Sequence, residues 1–353
     1  LNRQELEHVV QGRGESPLVQ DQDLSGRDYS EARLGGGQFV KVSFRGANLR
    51  GAYLKECAFI ECDFSDACLD GADLSLASLV DSVAERASFA GAVIFHTNFV
   101  QSALPGARFD GATLTKASFV KGSLEQASFR GCRSENLSFL NNRLQRADFS
   151  ESEHVRPNFI EPELEHTVFS GAHLNMAFFL KPDFKGFDFR DVRLTMSQFH
   201  QAQMAGAVFR GLDLTQCGFY DTDLQGADFS GVIGNHMMLL KGRLAGARFA
   251  GAQMNQAIIV EADLSGCDFS NARMVQAQVT RSRCERALFI DADLTYVDFS
   301  HADLSHADFS GAQLYRANLH EIIDFKTLWR GANKAMALAT DEAKAKAEQL
   351  KAK

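Results

Sequence analysis

The sequence predicts an all-β fold, a solenoid whose coils have four short sides, and three observations predict it. An apolar marker, usually Leu or Phe, recurs every five residues from Leu24 to Leu319, sixty units in one register without insertion or deletion. The residue two places before the marker is usually small, as at Ala47, Ala52, Ala67, Ala72, Ala107 and Ala112. Marker identity itself repeats at twenty: positions 89, 109, 129 and onward to 309 are all Phe, twelve in succession. A period of five matches neither the 3.6 of a helix nor the 2.0 of a flat strand, so the chain must turn a corner in every unit to bury its markers. Two inward and three outward residues per unit, with like stacked on like every twenty, give four sides per coil and about fifteen coils.

Each segment follows from this pattern in turn. Residues 1–21 hold "RQELEHVV", which predicts a short helix, and the Gly/Pro-containing link "QGRGESP". Residues 22–320 are the solenoid. Residues 321–353 lose the period, although Trp329 still falls in the Phe column, and "TDEAKAKAEQLKAK" places acid early and lysine late, as a helix dipole favours. Open strand edges at solenoid ends invite aggregation, so both termini are expected to be short helical caps. The markers that break the pattern are Ala84, Ser134, His154, Gly234 and Cys284. Pro157, Pro162, Pro182, Phe187, Leu137 and Leu212 sit where a small residue is expected, which predicts a bulge or kink around 132–190. A second disturbance is expected at 230–242, where Gly234 vacates a core site and Met237 enters a small one.

The repeated words "GANLR" at 46–50, "GADLS" at 71–75, "EADLS" at 261–265 and "HADLS" at 301–305 resemble the A(D/N)LXX consensus of the pentapeptide-repeat family. The resemblance covers about residues 22–320 and implies a right-handed quadrilateral β-helix. At about 4.8 Å per coil this is a rod of roughly 70 Å. It also suggests two partner classes. Some members of the family are acidic, DNA-like rods that occupy the DNA groove of type II topoisomerases and confer quinolone resistance. Long members are encoded in bacterial type VI secretion loci and open with a helix leading into a "DLSG" start, similar to "DQDLSGRDYSEARL" here. Leu1 in place of an initiating Met suits a segment of a longer protein.

Charge weighs on that choice. DNA carries about one charge per 1.7 Å, so a mimic of this length needs around forty negative charges. The chain has a net charge of −8, and only "DADLTYVDFSHADLSHADFS" is consistently acidic. A basic nucleic-acid-binding face is not supported either. No run of eighteen apolar residues spans a membrane and no signal peptide opens the chain. Cys57, Cys62, Cys132, Cys217 and Cys267 occupy the small inward position and Cys284 a marker, so they read as buried small hydrophobes in a reducing, cytoplasmic compartment.

Neither a catalytic residue nor a cofactor or metal ligand is expected, and the chain is read as a non-enzyme. There is no glycine-rich phosphate loop, HExxH or CxxC. The one candidate cluster is His154, one coil from Ser134, with Glu153, His166 and His173 nearby; a hydrogen-bonded pair inside the core is the expectation and a ligand or metal pocket the alternative.

The outward positions point to binding. Val40, Ile60, Val80, Val100, Val120, Leu140, Ile160, Leu180, His200, Tyr220, Leu240 and Val260 follow the marker at twenty-residue spacing, with Phe178, Met238 and Ile258 beside them. β-branched residues favour extended structure and explain part of this stripe; its roughly 50 Å of outward apolar surface marks a binding face. Phe178, Leu180, Tyr220, Met238, Leu240, Ile258 and Val260 are therefore the expected partner-binding residues. The expected function is a protein-binding scaffold or adaptor, its partner a secretion-system component, with the topoisomerase-binding DNA mimic as the alternative. A homodimer through the apolar side or the terminal helix is a further expectation.

Overall fold

In a computed structural model, which describes residues 1–12 and 17–351, the chain is a parallel β-solenoid with four-sided coils. Its contacts divide it into two compact units, Leu1–Pro182 and Asp183–Lys353. The link expected over 11–17 lies outside the described residues at 13–16, as do the last two residues of the tail.

The five-residue word has a local explanation at each letter. The marker's N–H donates to the coil ahead, as Leu49 N–H does to Cys68 O at 2.7 Å, and the preceding residue donates to the coil behind, as Asn48 N–H does to Arg27 O at 2.9 Å. The small residue closes the corner, with Ala47 N–H donating to Phe44 O at 2.9 Å. An Asp before the marker accepts the N–H two residues on, as Asp63 does from Ser65 at 2.8 Å and Asp73 from Ser75 at 2.9 Å. Each corner needs one left-handed residue, which suits Gly46 and Gly51 but is also imposed on Glu56, Asp66 and Leu76.

In the first unit, one side carries nine three-residue parallel strands, from Leu18–Gln20 to Phe178–Leu180, paired at twenty-residue offset throughout. Phe rings stack along the axis, for example Phe129 on Phe149 at 4.7 Å and 4°, and meet Phe139 and Phe159 edge-on. Helix α1, Arg3–Gln11, closes the end. Asn2 and Glu5 form a capping box, and Leu6 and Val10 are buried. Edge groups of the first coil are satisfied by the helix: Glu7 accepts Arg33 N–H at 2.8 Å, and Arg3 and Gln11 donate to the carbonyls of Glu31 and Arg33.

In the second unit, the same side carries four strands, Gln198–His200, Gly218–Tyr220, Met238–Leu240 and Ile258–Val260. Beyond Ile258 the ladder continues as single bridges through Gln278, Asp298 and Asn318 to Leu338. Thirteen strands in the two units thus fall slightly short of the fifteen coils counted from the sequence, because the later coils pair without forming strands. Phe289, Phe309 and Trp329 stack at 4.7 and 4.5 Å, and the coil that holds Trp329 ends the core with charge. Asp324 and Lys334 stand at marker positions and pair at 2.9 Å, with the Lys334 ammonium 4.3 Å from the Trp329 ring centre. Helix α2, Glu342–Lys351, is tied down where Glu348 Oε2 meets His320 Nε2 at 3.2 Å and His301 Nε2 at 3.3 Å.

The bulge expected around 132–190 does not interrupt the part of that stretch that lies in the first unit, 132–182. Ser134, His154 and Leu174 stay in register, and the segments Arg133–Glu135, Glu153–Val155 and His173–Asn175 become regular strands on a second side. The prolines fit because these corners leave the N–H without a ladder role. At the positions equivalent to Pro162, the N–H groups of Cys62 and Ser82 reach only the hydroxyls of Ser82 and Ser102. The disturbance at 230–242 is likewise self-repairing, since the Met237 side chain fills the space a side chain at Gly234 would take, with its Cε and Sδ 3.3 and 3.4 Å away.

Candidate protein-binding face

Most polar residues at the small inward positions follow one rule, from which Ser152, donating to Phe149 O, and Asn142, donating to Gly122 O, depart. The side chain donates to the marker carbonyl 23 residues back, as in Cys57 to Leu34, Cys132 to Phe109, Thr97 to Leu74 and Thr222 to Phe199. Burial pushes the thiols of Cys57, Cys132, Cys217 and Cys267 up to about 12, so they are inert core groups, and all the cysteines are unpaired.

The candidate cluster around His154 separates. Ser134 Oγ and His154 Nδ1 lie 2.6 Å apart in the core, and burial pushes the imidazole down to about 4. Glu153 instead points outward to Arg133 at 3.3 Å, and His166 pairs with Glu165 at 3.4 Å. The pair is sealed from solvent and from any acid that could orient it, so it has no access to a substrate. A second group, missed by sequence reasoning because α2 supplies one member, is His301, His320 and Glu348. His320 Nδ1 accepts the Asp341 N–H at 3.2 Å, which leaves Nε2 as the protonated donor to Glu348. That arrangement makes His320 Nε2 a hydrogen-bond donor in a clasp with Glu348, so this nitrogen has no lone pair free for a metal.

Outward residues of the strand-bearing side form aligned ladders. In the first unit Val40, Ile60, Val80, Val100, Val120, Leu140, Ile160 and Leu180 are partners in successive strand pairs, seven steps or roughly 34 Å of apolar surface. Phe178 lies beside Leu180 on the same strand and pairs with Asn158. In the second unit His200, Tyr220, Leu240 and Val260 align, with Met238 and Ile258 as a parallel second column. Ile60 and Tyr220 are 39 % and 38 % exposed, and the others are half-buried by their neighbours. Phe178 and Leu180 are thus together in the first unit, and Tyr220, Met238, Leu240, Ile258 and Val260 in the second.

Extended backbone does not by itself require apolar outward residues. The strands Arg133–Glu135 and Glu153–Val155 are as regular, yet present Arg133, Glu135 and Glu153 outward. The remaining surface has mixed charge, with acids matched by arginines: Asp70 by Arg50, Asp66 by Arg86, Asp148 by Arg130, and Asp223 by Arg243. Burial raises the affinity of Asp228 for a proton, but hydrogen bonds from Ser230 and Arg210 outweigh it and hold the carboxyl below its usual range. In the acidic segment, Asp298, Asp303 and Asp308 accept the N–H groups of Ser300, Ser305 and Ser310, so these acids serve their own corners.

The match to a protein-family model agrees with this architecture. The family described as pentapeptide repeats matches in eight copies, over residues 38–75, 94–131, 193–231, 247–283 and 282–320. Among solved structures, HetL, a pentapeptide repeat protein involved in heterocyst differentiation regulation from the cyanobacterium Nostoc sp. strain PCC 7120, is 19% identical. The alignment covers 84% of this chain and 91% of that one, with a TM-score of 0.24. QnrB1, a plasmid-mediated fluoroquinolone resistance protein, is 18% identical over 66% of this chain and 95% of that one, TM-score 0.29. A pentapeptide repeat protein from the Arabidopsis thaliana thylakoid lumen is 25% identical over 32% of this chain and 71% of that one, TM-score 0.19. No curated protein sequence matches the chain. Among the described residues no helix is long and apolar enough to cross a membrane.

Proposed function

Because the chain belongs to the pentapeptide-repeat family, and its inward residues are accounted for by packing, we propose that it acts through its outward surface as a non-enzymatic protein-binding scaffold or adaptor. The observation that carries this reading is the apolar ladder on one side of each unit, since equally regular strands elsewhere carry charge. Tyr220, Leu240, Val260, Met238 and Ile258 form the docking patch of the second unit, and Leu180 and Phe178 that of the first. The helix-to-"DLSG" opening, similar to that of secretion-associated members, makes a type VI secretion component the first partner to seek. A DNA-like acidic surface is supported less well, since the acids are paired with arginines or used in their own corners.

The test is affinity capture from bacterial lysate, comparing the wild type with Leu180→Arg, Tyr220→Arg, Leu240→Arg and with a control substituted at Arg133 and Glu153. Loss of one captured protein from the ladder variant alone supports the docking face. Identical capture by all three removes it, and inhibition of DNA supercoiling would restore the topoisomerase alternative.

A further inference from the structure

The wall of the second unit has a break. Three sides pair normally between the coil starting at Asp183 and the next, through Asp183 with Gln203, Asp188 with Val208, and Gln198 with Gly218. On the fourth side, among the described residues, the strand Arg193–Thr195 makes no bridge to Asp213, which bridges only Ile233 on its other face. One coil later the ladder is complete, with Gly211 N–H to Ser230 O at 3.0 Å, Leu214 N–H to Ile233 O at 2.7 Å, Gln216 N–H to Asn235 O at 3.0 Å and Ile233 N–H to Leu212 O at 2.9 Å. The equivalent N–H groups of Asp191, Leu194, Met196 and Asp213 have no such partner.

The cause is legible in one column. From 32 to 332, every small inward residue at twenty-residue spacing is Ala, Cys or Ser except Val192, Leu212 and Val232. Val192 and Val232 remain buried, while Leu212 is forced to partial exposure. The break falls where Val192 and Leu212 stack at a step sized for Ala; Leu212 also stacks on Val232, and there the ladder is complete. Between the rungs of Val192 and Leu212 lies a cavity of about 520 Å³ lined by Leu194, Met196 and Leu212 on its apolar side and by Arg193, Asp213 and Thr215 on its polar side. That size falls within the roughly 300–1,000 Å³ of ligand sites.

We propose that this break is a binding slot for an extended peptide segment, which enters as an additional rung. Unpaired backbone groups are costly when withdrawn from water, and those on the two rims are complementary. In the register of the other rungs, where Leu214 N–H meets Ile233 O and Ile233 N–H meets Leu212 O, the Leu194 N–H and Val192 C=O belong to the forward rim and the Asp213 N–H and C=O to the rear one. A parallel strand of about three residues meets both rims with the bonds every other rung makes, and places one Leu-sized side chain against Leu194 and Leu212. The slot is separate from the apolar ladder and does not depend on it.

The experiment uses the full chain and, as probe, a fluorescein-labelled synthetic copy of residues 291–297, a rung with Leu294 at its marker. Fluorescence anisotropy is expected to show saturable binding, and the Val192→Ala, Leu212→Ala double variant, which restores the Ala step, is expected to bind at least tenfold more weakly with an unchanged circular dichroism spectrum. Hydrogen exchange at the Asp191, Leu194 and Met196 amides is expected to be fast in the wild type and slowed by both the probe and the double substitution. Equal probe affinity in the double variant, absence of saturable binding to the wild type, or wild-type protection of these three amides equal to that of Gly211, Leu214 and Gln216 would each overturn the proposal.

Discussion

Ser134 Oγ and His154 Nδ1 sit 2.6 Å apart at two successive marker positions of one column, while His154 Nε2 is buried with no hydrogen-bond partner. The neighbours in that column are Leu114 and Leu174, both fully packed. Replacing the pair by Ser134→Ala, His154→Leu removes a buried unsatisfied nitrogen and is expected to stabilise the fold by about 1–3 kcal/mol. Chemical denaturation checks this through the urea midpoint.

The same histidine predicts a pH dependence. Its folded pKa of about 4 lies below the unfolded value near 6.5, so the unfolded chain takes up a proton first as pH falls. Its contribution is complete above about pH 6.5 and is lost progressively as the pH falls to about 4, a change on the order of 3 kcal/mol. Denaturation midpoints measured across this window are expected to fall in the wild type and to fall less in the double variant.

Phe149 stacks on Phe129 at 4.7 Å and on Phe169 at 5.1 Å, and meets Phe139 and Phe159 edge-on. Phe149→Ala opens a cavity in a wall of five rings that cannot collapse without breaking register. A loss of about 3–5 kcal/mol is expected, with faster hydrogen exchange centred on the adjacent coils.

Leu76 is held at φ 63° on a corner and is 47 % exposed. It has a left-handed backbone to relieve and only part of its side chain covered, so Leu76→Gly is expected to stabilise by up to about 1 kcal/mol, read as a higher melting temperature.

At the first coil, Leu6 is fully buried beneath α1, whose side chains satisfy the backbone groups of residues 31–33. Leu6→Asp is expected to lift the helix, expose the strand edge and produce concentration-dependent oligomers in analytical ultracentrifugation.

The solenoid, its phase and its core are written in the sequence because one period fixes which residue faces inward, and Phe columns state the coil length. The cysteines were legible for the same reason, since their column is the Ala column. The prolines were not: whether a corner uses its N–H depends on whether the side before it is a strand, as at Pro157 and Pro162, and the repeat word does not encode that. Leu212 was conspicuous as a bulky intruder, but the break falls where Val192 stacks behind it, at 191–215, and of the bulge expected around 132–190 the first-unit part keeps its register. Of the group that ends the core, Trp329 was legible because it falls in the Phe column, whereas Asp324 and Lys334 lie past the end of the apolar period, where the pattern carries no signal.

The central claim is that the apolar ladder is the surface a partner covers. Hydrogen exchange of the complex recovered by affinity capture, compared with the free chain, tests it most directly. The account predicts added protection over Met238–Leu240 and Ile258–Val260; protection confined to other sides, such as 226–231 and 246–251, would contradict it.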